Sequence, residues 1–126
     1  MAPLTIHVLV VDDEQRVREL IVRWLRSPEC RVQTTETAED ALAAVDKERP
    51  DLIIVDKLLP LHSGLWLLKE VRQLDQTLPV ILISGAEFTS DERRQFETLG
   101  NAEYLQKPFS RSELDSAIAR LRSPRS

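Results

Sequence analysis

The chain predicts a doubly wound α/β fold: a five-stranded parallel sheet, in the order 2-1-3-4-5, with helices on both faces. Three observations predict it. First, TIHVLVV (Thr5–Val11), DLIIVD (Asp51–Asp56) and PVILI (Pro79–Ile83) are short, β-branched and almost unbroken in apolarity. That is the composition of parallel strands covered on both sides. Second, the stretches between them carry apolar residues at helical spacing. Third, polar or charged residues gather where the strands end, most densely at Asp12-Asp13-Glu14. Strands alternating with helices imply right-handed crossovers and a parallel sheet.

The elements follow in order. After the first strand, Val17, Leu20, Ile21, Trp24 and Leu25 recur at helical spacing over Glu14–Arg26, and Ser27-Pro28 stops that helix. Arg31–Glu36 alternates weakly and reads as an edge strand. Thr37 is a candidate N-cap, with Asp40 three residues on, for a helix whose Ala38, Ala41, Leu42 and Val45 share a face. Arg49-Pro50 breaks the chain before the third strand. Gly64–Leu74 is a helix with Leu65, Leu68 and Val71 as its apolar set. Thr89–Leu99 is polar and weakly amphipathic, and Gly100 closes it. Ala102–Gln106 makes a fifth strand, and Ser110–Leu121 a last helix carrying Leu114, Ile118 and Leu121. The flavodoxin-like order is the leading topology for this count, with ligands expected outside the carboxyl ends of strands one and three.

Composition narrows the function. With 126 residues, 42% hydrophobic and 30% charged, the chain is long enough to bury one core without staples. A net charge of −4, with the basic residues scattered, argues against direct nucleic-acid binding by this domain. The single cysteine, Cys30, allows no internal disulfide and no cysteine-based zinc site. No apolar run reaches the ~20 residues of a membrane span, and Met1–Thr5 lacks signal-peptide character. A cytoplasmic domain over 1–122 is expected, with 123–126 a tail or the start of a linker. His7 reads as a core histidine, His62 as a solvated loop residue, and Trp24 and Trp66 as packing residues.

The strand ends carry the chemistry. Asp12 and Asp13 follow strand one, Asp56 ends strand three, Ser84 ends strand four and Lys107 follows strand five, so all five converge on one rim. Acids at a helix start can simply complement its dipole, but that does not explain why Asp56 and Lys107 share the rim. Clustered carboxylates need compensation, and a hard cation such as magnesium, which takes one or two carboxylates and keeps water and phosphate oxygens, supplies it. Lys107 suits a phosphate oxygen, Ser84 offers a hydroxyl, and Asp56 is placed as a carboxylate nucleophile able to form an aspartyl phosphate.

On these residues the chain resembles the receiver domains of two-component response regulators over nearly its whole length. The matching pieces are Val8-Leu9-Val10-Val11-Asp12-Asp13-Glu14, Asp51–Asp56 followed by Leu59-Pro60 and Gly64, Ser84-Gly85-Ala86, and Tyr104-Leu105-Gln106-Lys107-Pro108-Phe109. The resemblance implies that Asp56 accepts phosphate from a histidine kinase or phosphotransfer protein. It implies that Asp12, Asp13, Asp56 and the Leu58 backbone carbonyl hold magnesium, and that Ser84 and Lys107 contact the phosphoryl group. Tyr104 would change rotamer as Ser84 moves, and a cis bond would precede Pro108. The domain would be a switch catalysing only its own phosphotransfer and dephosphorylation. It would act as a homodimer or on an attached effector through helix 4, strand 5 and helix 5. Two departures stand out: Ser63, where an acid commonly precedes the glycine, and Lys57, a cation beside the acceptor. Two other readings compete. An aspartate-based phosphohydrolase of the haloacid dehalogenase type wants an acid at Leu58 and a cap domain. A receiver-like interaction module without phosphorylation has no need of the intact acid, serine and lysine set.

Overall fold

The computed structural model describes residues 5–122; the expected tail at 123–126 lies outside them. Five strands alternate with five helices: β1 Ile6–Val11, α1 Gln15–Leu25, β2 Cys30–Thr35, α2 Ala38–Lys47, β3 Leu52–Asp56, α3 Gly64–Leu74, β4 Val80–Ser84, α4 Ser90–Leu99, β5 Ala102–Gln106 and α5 Arg111–Arg122. All strand pairs are parallel, in the order β2-β1-β3-β4-β5. The expected topology holds, with boundaries differing by a residue or two.

Strand alternation divides the core into two layers. Leu9, Val11, Ile53, Val55, Val80 and Leu82 face α2 and α3, meeting Ala38, Ala41, Val45, Leu65, Leu68 and Val71. Val8, Val10, Ile54, Ile81 and Ile83 face the other way, against Ile21, Leu114, Ala117 and Leu121. Complete burial of a side chain such as Ile54, in the central strand, contributes about 1.5–3 kcal/mol. The edge strand β2 alternates between half-buried and exposed residues from Cys30 to Gln33 and has no buried residue, in keeping with the weak alternation of its sequence.

Local signals place the helices. Thr37 caps α2 by accepting the Asp40 N–H at 3.0 Å. Ser63, the departure noted above, caps α3 by accepting the Trp66 N–H at 3.1 Å. Thr89 and Glu92 form a reciprocal capping box at the start of α4. Gly100 ends α4 with a φ of 70°, which glycine adopts without a Cβ clash. His7 is buried with Nε2 3.0 Å from Gln33 Oε1, Trp24 and Trp66 are half-buried, and His62 is exposed and stacked on Trp66. Among the described residues, no helix is long and apolar enough to cross a membrane.

Candidate phosphoacceptor site

The site forms where β1 and β3, adjacent in the sheet, run out of strand. Beyond Val11 the chain turns through Asp12, whose Oδ1 accepts the Glu14 N–H at 2.8 Å. At the end of β3, Asp56 Oδ1 accepts the Leu58 N–H at 2.8 Å. These two local turns fix both carboxylates by bonding them to backbone two residues on. Glu14 is the N-cap of α1 and makes no side-chain cap bond; Asp12, two residues before it, organises this helix start by accepting its N–H.

The structure brings together four of the five rim residues. One carboxylate oxygen from each of Asp12, Asp13 and Asp56 lies within 4.8 Å of the others. Lys107, held by its N–H to the Ser84 carbonyl at 2.9 Å, reaches over from β5. Its Nζ lies 2.7 Å from Asp56 Oδ2, 3.4 Å from Asp12 Oδ2 and 3.5 Å from Glu14 Oε1. The peptide between Lys107 and Pro108 is cis, as the resemblance implied. Asp12 and Asp56 are 1% and 5% exposed, while Asp13 is exposed and marks the solvent side.

Burial sets the electrostatics. Desolvation, reinforced by the Asp56 charge, pushes the Asp12 carboxyl up to about 6, against the opposing pull of the Glu14 N–H and Lys107. Burial works to lower Lys107, but the hydrogen bond to Asp56 and the charges of Asp12, Asp56 and Glu14 outweigh it and raise the ammonium. One ammonium against three carboxylates is incomplete compensation. Three hard oxygen donors at this spacing therefore fit a divalent cation such as magnesium.

Ser84 is the fifth residue, buried at the end of β4, but its hydroxyl is turned to its own loop. It donates to the Ala86 carbonyl at 2.9 Å and accepts the Ala86 N–H at 3.0 Å. Half-buried Tyr104 donates its hydroxyl to the same carbonyl at 2.9 Å. Leu58 contributes its amide to Asp56, and its side chain is 60% exposed beside the acceptor.

Several contacts around the site were not legible in the sequence, including those of Gly64 and Lys57, which were named there without them. Gly64 is required by close approach: a Cβ there would overlap the Asp56 carbonyl and stand 2.8 Å from Leu82 Cδ1. The signal in the sequence was a glycine opening a helix four residues after Pro60. Phe88 links Tyr104 to α4, with ring centroids 4.7 Å from Tyr104 and 5.2 Å from Phe96. Arg72, buried on α3, donates to the Leu99, Gly100 and Asn101 carbonyls at the end of α4. Lys57 pairs with Glu92 of α4 at 2.8 Å.

Comparisons with known proteins bear on the family and the fold. The family model described as the response regulator receiver domain matches residues 8–119. The probable transcriptional regulatory protein TcrX of Mycobacterium tuberculosis is 35% identical over 118 residues, 94% of this chain and 49% of that protein. The regulatory protein VanR of Enterococcus faecium is 34% identical, over 92% of this chain and 48% of its own length. The chain thus spans about half the length of the curated relatives it matches. Among solved structures, the chemotaxis protein CheY4 of Vibrio cholerae superposes with a TM-score of 0.83 at 27% identity, covering 93% of this chain and 98% of its own. A putative response regulator from Chloroflexus aurantiacus gives 0.81 at 34% identity, covering 93% and 97%. Sequence, sheet order and rim chemistry converge, and the chain belongs to the receiver domain family of two-component response regulators.

Proposed function

We propose that this domain is a phosphorylatable switch that takes a phosphoryl group on Asp56 from a histidine kinase or phosphotransfer protein. The observation that carries this reading is the setting of Asp56: a carboxylate 5% exposed, 2.7 Å from Lys107 Nζ, on a rim shared with two further acids.

In the proposed step an Asp56 oxygen attacks the phosphorus of a phosphohistidine in line. A P–O bond forms as the P–N bond breaks, and the bonding pair stays on the imidazole nitrogen. Lys107 is within reach of an equatorial oxygen and offsets its charge. Ser84 donates to a second oxygen once its hydroxyl leaves the Ala86 carbonyl. Magnesium, held by Asp12, Asp13, Asp56 and the Leu58 carbonyl, would neutralise the phosphoryl oxygens and the acids together. The domain acts on no substrate beyond its own phosphoryl group.

The phosphoryl group adds about −1.5 to −2 charge beside Ser84. The readout surface is the face of α4, β5 and α5, used by an attached effector or a second copy of the chain. Effector attachment suits the greater length of the relatives, two of which are named as regulatory proteins. The acidic net charge of −4 leaves any nucleic-acid contact to such an effector. A cytoplasmic location follows from the proposed donors.

Acetyl phosphate with magnesium should add one phosphoryl group, read by intact mass, and Asp56→Asn should take none. Equal labelling of wild type and variant would refute the assignment of Asp56.

A further inference from the structure

Helix α4 is held unlike the other helices. None of its residues is buried; Phe96 and Leu99 only rest against the core. Its carboxyl end is tied to α3 by Arg72. Its amino end is tied to the residue after the acceptor, because the Lys57 side chain runs under the β4–α4 turn. Lys57 is 5% exposed. Its Nζ donates to Glu92 Oε1 at 2.8 Å and to the Glu87 carbonyl at 3.3 Å, and lies 5.1 Å from the centre of the Phe88 ring. Glu92 Oε1 also accepts the Thr89 N–H at 2.8 Å, so one carboxylate both caps α4 and anchors the ammonium. The Lys57 hydrogen bond, ahead of the Thr89 N–H, holds that carboxyl below the usual carboxylate range.

A buried ammonium must keep its partners, so Lys57 fixes Glu87, Phe88 and Glu92 relative to the end of β3. That segment continues directly from Ala86, whose carbonyl accepts both the Ser84 and Tyr104 hydroxyls. A serine hydroxyl has a single proton to donate. While it is given to Ala86, it is unavailable to a phosphoryl oxygen on Asp56.

We propose that Lys57 is a positioning residue: by clamping Glu92 and the Glu87 carbonyl it holds the β4–α4 turn, and with it Ser84 and Tyr104, in the resting arrangement. It thereby sets the fraction of molecules poised to take phosphate. This rests on the phosphoacceptor reading above and adds what regulates it. When the competent state is a minor fraction, apparent affinity falls by that fraction, so loosening the clamp should act on half-saturation.

The test compares Lys57→Met, Glu92→Gln and Lys57→Arg with the unaltered chain, each checked for folding by a thermal melt. Without any phosphodonor, amide NMR should show Ala86, Glu87 and Tyr104 displaced in the Met and Gln variants, and near their original positions in the Arg variant, which keeps a donor cation. With acetyl phosphate and magnesium, the Met and Gln variants should reach half-maximal rate at a donor concentration lower by about fivefold or more, the low end of common coupling between sites. Their maximal rate should be unchanged, and Lys57→Arg should track wild type. Unmoved Ala86 and Tyr104 signals in folded Met and Gln variants, or an Arg variant that behaves like Met, would overturn the clamp. Failure of the unaltered chain to accept phosphate would instead defeat the phosphoacceptor reading, with the donor-free NMR still deciding the clamp.

Discussion

Replacing Asp12 with Asn should stabilise the metal-free domain at neutral pH, although Asp12 is among the best-bonded acids in the structure. Asp12 is 1% exposed, and its carboxyl is pushed from 3.8 up to about 6, chiefly by desolvation. A raised carboxyl value means that the folded state binds the proton more tightly than the unfolded chain. The ionised group is therefore a cost, fully present above about 6, shrinking as pH falls and absent below 3.8. At about 1.4 kcal/mol per pH unit, a displacement of roughly two units sets a ceiling near 3 kcal/mol. Asn retains an acceptor for the Glu14 N–H but gives up the Lys107 contact at 3.4 Å, leaving Lys107 its shorter bond to Asp56. A net gain of about 1–2 kcal/mol is expected, roughly 4–8 °C in melting temperature for a domain of this size. Thermal melts in chelator at pH 7.5 should show Asn above wild type, and the gap should close towards pH 5. Magnesium should reverse the order: wild type gains about 2.7 kcal/mol when the ion stands at 100 times its dissociation constant, and the variant gains less. A variant less stable than wild type in chelator at pH 7.5, or a gap independent of pH, would refute this account of Asp12.

Three further outcomes are expected. Gly64→Ala should cost about 1–3 kcal/mol by overpacking against the Asp56 carbonyl and Leu82, seen as a lower melting temperature together with slower phosphorylation. Leu58 and Ala86, the second residues after Asp56 and Ser84, are exposed and carry no side-chain hydrogen-bonding group, so the phosphorylated domain should decay slowly once the donor is removed. The double variant Leu58→Asn, Ala86→Glu should decay faster by up to about 10²-fold through water orientation, and equal decay rates would contradict this. Phosphorylation should shift NMR signals of Phe88, Phe96 and Tyr104, which are in ring contact, and of Glu103, paired with Arg120 of α5 at 2.7 Å. Changes confined to the loops around Asp56 would rule out this route.

The sequence by itself determined the sheet, its order and the rim. Unbroken runs such as DLIIVD can only be satisfied by burial on both faces, and strand ends are read directly from where those runs stop, so Asp12, Asp56, Ser84 and Lys107 were legible as one constellation. The caps at Thr37 and the stop at Gly100 were legible for the same reason: their partners lie within a few residues. What only the tertiary structure decided involves partners distant in sequence. Lys57 read as a cation beside the acceptor, yet its neighbour in space is Glu92, 35 residues on. Arg72 is an ordinary helix residue in sequence until the end of α4 is laid across it. Ser84 was placed correctly on the rim, but the direction of its hydroxyl depends on which acceptor lies nearer in the folded loop, here the Ala86 carbonyl. Strand and helix periodicity reports which face of an element is buried. It does not report which buried charge meets which, because that pairing is set by the packing of helices across the finished sheet.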